Sequence, residues 1–216
     1  FVSQRCCELL GKPDGKGTRI ITCHLGNGSS IAAIQDGKVI DTTMGLTPLD
    51  GLIMGTRCGT IDPSVVLFLM EKEGLSAKEM DEILNKKSGM LGVSGVSSDD
   101  RDIQAAKEAG NARAAMVLDM RTYEIIKFIG GYVAALGGVD AIVFTAGVGE
   151  NQQSIRSDVL EGLAYLGIRV DYEANKARGE EVEITTPDSA VRSFVIPTNE
   201  ELVIARDTRA IVEALA

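Results

Sequence analysis

Short apolar runs with regular spacing lay out most of the chain. Residues 19–24 (RIITCH), 30–34 (SIAAI) and 38–41 (KVID) are rich in β-branched side chains and predict three strands. Asp36-Gly37 between the last two is a two-residue hairpin signal, and Leu25-Gly26-Asn27-Gly28-Ser29 is a tight turn between the first two. Asp62-Pro63 ahead of the apolar run 65–70 predicts a helix with a capping Asp and Pro at its first position, stopped by Gly74. Ser76-Ala77-Lys78-Glu79 reads as a capping box for a further helix ending near Ser88-Gly89.

Residues 89–98 are Gly/Ser-rich but hold Met90, Leu91 and Val93, so an ordered loop is expected there. Residues 111–136 carry Met116, Met120, Tyr123, Ile126 and Val133 near helical spacing and predict a long helix. Residues 140–145 read as a buried strand, which the turn 146–151 leads into a helix running to Leu166. A last strand is expected over 192–196, and Thr198 starts a terminal helix. Three antiparallel strands, then helices alternating with single strands, predict an α/β chain with a mixed sheet flanked by helices. No internal repeat or domain boundary is visible, so residues 1–216 are read as a single domain.

Charge narrows the partners. The chain has 22 Lys and Arg against 31 Asp and Glu, a net charge of −9, with no basic patch. That balance excludes a nucleic-acid partner, since phosphate backbones are repelled. No uncharged apolar run reaches the roughly 18 residues of a membrane helix; the best stretch, 128–139, is broken by four glycines. The cysteines, Cys6, Cys7, Cys23 and Cys58, make no CxxC pair and have a single histidine, His24, beside them. A zinc site is therefore unsupported, and reduced thiols in a cytoplasmic protein are expected. The chain begins at Phe1 without an initiator Met and is read as a segment of something longer.

Glycine is in excess, with 24 in 216 residues, and two Gly-rich turns carry candidate chemistry. His24-Leu25-Gly26-Asn27-Gly28 lacks the Lys-Ser/Thr of a Walker A loop. Its backbone N–H groups could instead face an anion, with His24 and Asn27 adding donors; the alternative is a plain hairpin with His24 a satisfied strand residue. Gly147-Val148-Gly149-Glu150-Asn151 follows a buried strand and precedes a helix, where nucleotides often bind. It lacks the third glycine of a dinucleotide fingerprint, which leaves a mononucleotide pocket or a close strand-to-helix turn.

Four motifs in order resemble the acetate kinase (acetokinase) family: HLGNGSS at 24–30, DTTMGLTPLDGLIMGTR at 41–57, FTAGVGEN at 144–151 and PTNEEL at 197–202. The resemblance runs the length of the chain and matches the C-terminal half of a longer two-domain kinase. It implies a ribonuclease-H-like fold of the sugar kinase, Hsp70 and actin superfamily. It implies phosphoryl transfer between ATP and acetate, giving ADP and acetyl phosphate, with Mg²⁺ (or Mn²⁺) and in a homodimer. Propionate and butyrate kinases share the architecture, and an ATP-dependent switch of the Hsp70 or actin kind is the alternative from another class.

By motif match, His24, Leu25, Gly26, Asn27 and Gly28 would contact the ATP phosphates. Asp99, Asp100 and Arg101, with Gly147, Val148, Gly149, Glu150 and Asn151, would hold the adenosine. Arg57 would stabilise the transition state and Glu200 would bind Mg²⁺. The family's acetate pocket, a catalytic Asp, a second Arg and a phosphate-contacting His would come from a segment before Phe1, so this chain alone is expected to be inactive. Arg57 suits its role because a guanidinium fork matches the equatorial phosphoryl oxygens. Glu201 is expected to close a capping box with Thr198, leaving Glu200 free for the metal. Cys58, beside Arg57, is either a thiol of lowered pKa or a small residue at a tolerant position. The family often has Ser where Cys58 stands and an acidic residue where Thr60 stands, which puts that loop's contacts in question.

Overall fold

The computed structural model describes residues 1–215, the side chains of Glu200 and Asp207 excepted. Six strands form one sheet: β1 (Arg19–Leu25), β2 (Ser29–Gln35), β3 (Lys38–Thr42), β4 (Ala141–Thr145), β5 (Val182–Glu183) and β6 (Arg192–Val195). Their order is β3-β2-β1-β4-β6-β5. The first three are antiparallel, β4 lies parallel to β1 and β6 parallel to β4, and the short β5 closes the edge antiparallel. This is the ribonuclease-H-like mixed sheet that the motifs implied. β5 is two residues long and leaves no period to read.

Strand alternation divides the core. Ile21, Cys23, Leu25, Ile31, Ile142 and Phe144 face the long helix α6 (Ala112–Leu136) and helix α8 (Gln153–Gly162). Ile20, Ile34, Val143 and Phe194 face the opposite side, where Cys6 and Cys7 of α1 (Val2–Leu9) cover them. A third cluster, Ile53, Met90, Ile103, Val117 and Leu118, joins α6 to α4 (Gly89–Ser94) and α5 (Asp100–Glu108).

Helix ends match the local signals. The helix α2 (Pro63–Glu73) is capped by Asp62, which accepts from the Ser64 N–H, and stops at Gly74 with φ +66°. The capping box of Ser76 and Glu79 opens α3 (Ala77–Lys86). Asn111 caps α6 with two backbone bonds.

Two expectations are corrected, and one helix is oriented in a way its spacing left open. The Gly/Ser-rich stretch expected as a loop forms α4, on which buried Met90 and partly buried Val93 pack into the third cluster. Along α6 the apolar positions at helical spacing divide: Met116, Met120 and Tyr123 are exposed, Ile126 and Val133 pack partly buried against the core, and Val117, Arg121, Ile125, Ile129, Tyr132 and Leu136 are buried. The helix is apolar on more than one side, so its period alone could not choose the face that meets the sheet. At the start of α9 (Glu200–Leu215), the cap is Asn199 rather than Thr198: Asn199 Oδ1 accepts from the Leu202 N–H at 3.0 Å. Leu202, not Glu201, thus holds the third helical position, and no Thr198–Glu201 capping box forms.

Candidate functional site

The β1–β2 turn opens the site. Leu25 is buried in the core, so only its backbone is available there. His24 is exposed at the end of β1, opposite Ser30 and Thr145. Between them and β2, Ser29 Oγ donates to the Gly26 carbonyl at 3.1 Å and fixes the turn. The Asn27 carbonyl accepts from the Gly55 N–H at 3.1 Å, which ties the turn to the loop carrying Arg57. A Cβ on Gly28 would lie 3.3 Å from Arg57 Nη1, so the guanidinium rests directly on this glycine.

Arg57 is half-buried, and its Nη1 donates to the Pro48 carbonyl at 3.1 Å. Its loop is held from beneath by the start of α4. The N–H groups of Ser88, Met90 and Leu91 donate to the carbonyls of Thr56, Met54 and Gly55 at 2.8 to 3.0 Å. Helix N-termini carry unpaired N–H groups, and here an irregular loop takes them up. From the other side Glu124, on α6, accepts the Ile53 N–H at 2.7 Å. Burial pushes the Glu124 carboxyl above its ordinary value, against the opposing pull of that N–H. Thr60 donates to Asp50 at 2.8 Å, closing the loop on itself where an acidic side chain would repel Asp50. The Cys58 thiol is pushed up by burial, so it is not a thiol of lowered pKa.

The second wall is built by 98–101 and 147–152. Asp99 caps α5 and grips Arg101 through two side-chain bonds, of 2.6 and 3.1 Å, which hold its carboxyl down at about 2. The Asp100 carboxylate is turned inward, where it accepts from Arg121 Nη1 and from Gln152 Nε2. The second turn is wound into the short helix α7 (Ala146–Asn151), where Asn151 Nδ2 donates back to the Gly147 carbonyl at 2.9 Å. Gly149 is buried against β1 and β4, with room for a Cβ only 3.5 Å from the Phe144 carbonyl carbon. Glu150 is internal as well: its Oε1 accepts from the Ala146 and Thr198 N–H groups at 2.8 and 3.2 Å. That contact holds Ala146 at φ +65° and brings the start of α9 to the turn.

These segments enclose one cavity of about 590 Å³. Of the residues singled out in the sequence, Gly26, Asn27, Asp99, Asp100, Arg101, Gly147, Val148 and Asn151 line it. His24, Leu25, Gly28, Gly149, Glu150 and Arg57 do not. Ser29, Ile53, Met54 and Gly55, which fall within the family motifs, also line it, as do Met90, Ser98, Arg121, Gln152 and Arg178; none of these nine was given a role from the sequence. Outside those motifs, Arg121 left a trace in the sequence as a cation within the apolar repeat 117, 121, 125, 129 of a long helix. The side chain proposed to bind metal, that of Glu200, lies outside the described residues. Among the described residues no cluster of three acidic, His or Cys side chains could hold a metal, and no helix is long and apolar enough to cross a membrane.

A model of the acetokinase family matches residues 1–206. The acetate kinase of Methanosarcina thermophila is 59% identical over 99% of this chain and 52% of its own length. Among solved structures, the acetate kinase of Porphyromonas gingivalis superposes with a TM-score of 0.94 at 52% identity, over 98% of this chain and 53% of that one. A propionate kinase from Francisella tularensis superposes with a TM-score of 0.87 at 40% identity, over 95% of this chain and 52% of that one. The chain spans about half the length of the curated relatives it matches.

Proposed function

The chain belongs to the acetokinase family, and from that premise we propose that it supplies the nucleotide half of an enzyme transferring phosphoryl reversibly between ATP and acetate. The observation that carries this reading is one cavity gathering 26–27, 98–101, 147–148 and 151–152 beside the Arg57 loop. Its volume falls within the roughly 300–1,000 Å³ of small-molecule sites. In this reading the chain is one domain of a longer two-domain kinase.

Phosphoryl transfer asks a protein mainly for positioning and charge stabilisation. The turn 24–28 would hold the phosphates through backbone N–H groups and the side chains of His24 and Asn27. The segments 99–101 and 147–151 would hold the adenosine. Gly149 and Glu150 would act by shaping the turn, since their contacts are internal. Arg57, seated on Gly28, would meet the charge that develops on the transferring group. The carboxylates lining the cavity are engaged by Arg101, Arg121 and Gln152, and the motif match puts the metal ligand on the first turn of α9. One carboxylate, Glu200, with phosphate oxygens and water, suits Mg²⁺, which keeps much of its hydration. The metal would neutralise phosphate charge.

Acetate is assigned as the acid on the identities of 59% and 52% to the two acetate kinases above, against 40% to the propionate kinase, which makes propionate the runner-up. A homodimer fits the surface: α2 has no buried residue, and Leu67 and Phe68 on it are 69% and 59% exposed. Four unpaired cysteines agree with a cytoplasmic setting.

The test is calorimetric titration of ATP with and without Mg²⁺, paired with trapping of acyl phosphate by the full-length protein given ATP and acetate. Binding strengthened by Mg²⁺ and trapped acetyl phosphate are expected. No nucleotide affinity in the millimolar range, on folded protein, would overturn the reading; slow ADP release without acyl phosphate would favour an ATP-driven switch.

A further inference from the structure

None of the described residues lining the cavity is aromatic. A nucleobase stacks well on a planar group, and a guanidinium plane can serve where no ring is present. Three arginines line the cavity, and their availability differs. Arg121 is buried and committed to Asp100. Arg101 is gripped by both oxygens of Asp99. Arg178 has no ion-pair or hydrogen-bond partner among the described residues.

Its backbone, by contrast, is fixed on both sides. Arg156 is fully buried and donates to the carbonyl oxygens of Gly149 and Ala177, both at 2.9 Å, to Asn175 Oδ1 at 2.8 Å and to the Asn175 carbonyl. Asn175 Nδ2 donates to the Gln153 carbonyl at 2.9 Å, and the Gly179 N–H to the Glu150 carbonyl at 3.3 Å. The residues before and after Arg178 are thus both tied to the turn 147–153. A buried guanidinium without a carboxylate is costly; burial, and to a lesser degree the charge of Arg178, push Arg156 down to about 10. Four acceptors keep it in place, and their joint effect is to seat Arg178 on the adenosine-side wall. The phosphate-side turn is tied elsewhere, to Gly55.

We propose that Arg178 is a nucleotide-binding residue whose guanidinium stacks on the purine base of the nucleotide, held there by the fixed backbone on either side of it. This rests on the nucleotide reading above.

The experiment measures inhibition or dissociation constants for adenosine, ADP and ATP on the full-length protein, as wild type, Arg178→Ala and Arg178→Lys. Stacking predicts that Arg178→Ala weakens all three ligands by a similar factor of about ten. The KM for ATP should rise while kcat and the KM for acetate hold. Arg178→Lys should resemble Arg178→Ala toward adenosine, since an ammonium keeps the charge and loses the plane. Unchanged adenosine affinity with weakened ATP, restored by Lys, would overturn stacking in favour of a phosphate contact. No change for any ligand would overturn the assignment altogether. A wild-type protein that binds none of the three would instead refute the nucleotide reading on which the assignment rests.

Discussion

Gly89 is packed so closely beneath Met54 that a Cβ on it would overlap the Met54 carbonyl oxygen and lie 2.6 Å from that of Arg57. The first turn of α4 can satisfy the Arg57 loop only because this position has no side chain. Gly74 offers an internal comparison: its φ of +66° is nearly the +65° of Gly89, but nothing stands within 4 Å of its missing Cβ. Gly74→Ala should cost about 1 kcal/mol, the strain of a left-handed L-residue. Gly89→Ala should cost more than about 3 kcal/mol, since backbone must also move. Denaturant unfolding of the two variants checks the difference.

Arg57 should act on the transition state rather than on bound ATP. Arg57→Ala in the full-length enzyme is expected to lower kcat by about 10²–10⁴, or about 3–5 kcal/mol, with the KM for ATP little changed. Arg57→Lys should recover only part, lacking the planar fork. A large rise in the KM for ATP with kcat intact would make Arg57 a ground-state binding residue.

Glu124 links the same loop to pH. Its folded-state pKa is raised above the ordinary 4.5 by burial, so the folded protein binds its proton more tightly than the unfolded chain does. The stabilisation from the protonated form is complete below about 4.5 and is lost as pH rises through the raised value. Glu124→Gln keeps an acceptor for the Ile53 N–H without a charge. The stability of wild type relative to Glu124→Gln should therefore fall as pH is raised from 4.5 toward neutrality, in paired denaturation series.

The Arg121–Asp100 pair has both side chains 9% exposed. Removing one partner strands a buried charge, so Arg121→Met should destabilise by about 3–5 kcal/mol. The double variant Asp100→Leu/Arg121→Met should be more stable than Arg121→Met alone. A double variant less stable than the single would mean that the contact of Asp100 with Gln152 dominates.

At the start of α9 the cap and the metal ligand are separable. Asn199→Ala should cost about 0.5–2 kcal/mol of stability and leave the Mg²⁺ requirement of the full-length enzyme alone. Glu200→Ala should do the reverse. Glu201 occupies the second helical position and closes no capping box, so Glu201→Ala should affect neither strongly; activity measured against Mg²⁺ concentration distinguishes the three.

Much of this protein is decided by residues close together in the chain. Asp62-Pro63, Ser76 with Glu79, Asn111 and Asp36-Gly37 set their helix ends and hairpin through bonds spanning a few residues, and such signals are readable in one dimension. The four family motifs are likewise contiguous, and they carried both the fold and the family. Tertiary structure alone decided the rest. The sheet chose Ile125 and Ile129 over Met116 and Met120 as the buried face of α6, because a helix apolar on several sides is oriented by what it packs against. A Gly/Ser-rich stretch became α4 because Met90 and Val93 found a surface to pack against on α6, and its first N–H groups then serve the Arg57 loop. Glu150, within a nucleotide-like motif, turned inward to hold Ala146 and Thr198. Arg121, Gln152 and Arg178 reached the cavity from three separate elements, and Asp100 and Arg156 found partners up to about twenty or fifty residues away. Buried charges are matched in space rather than in sequence, because desolvation makes each one require whichever polar group the fold places beside it.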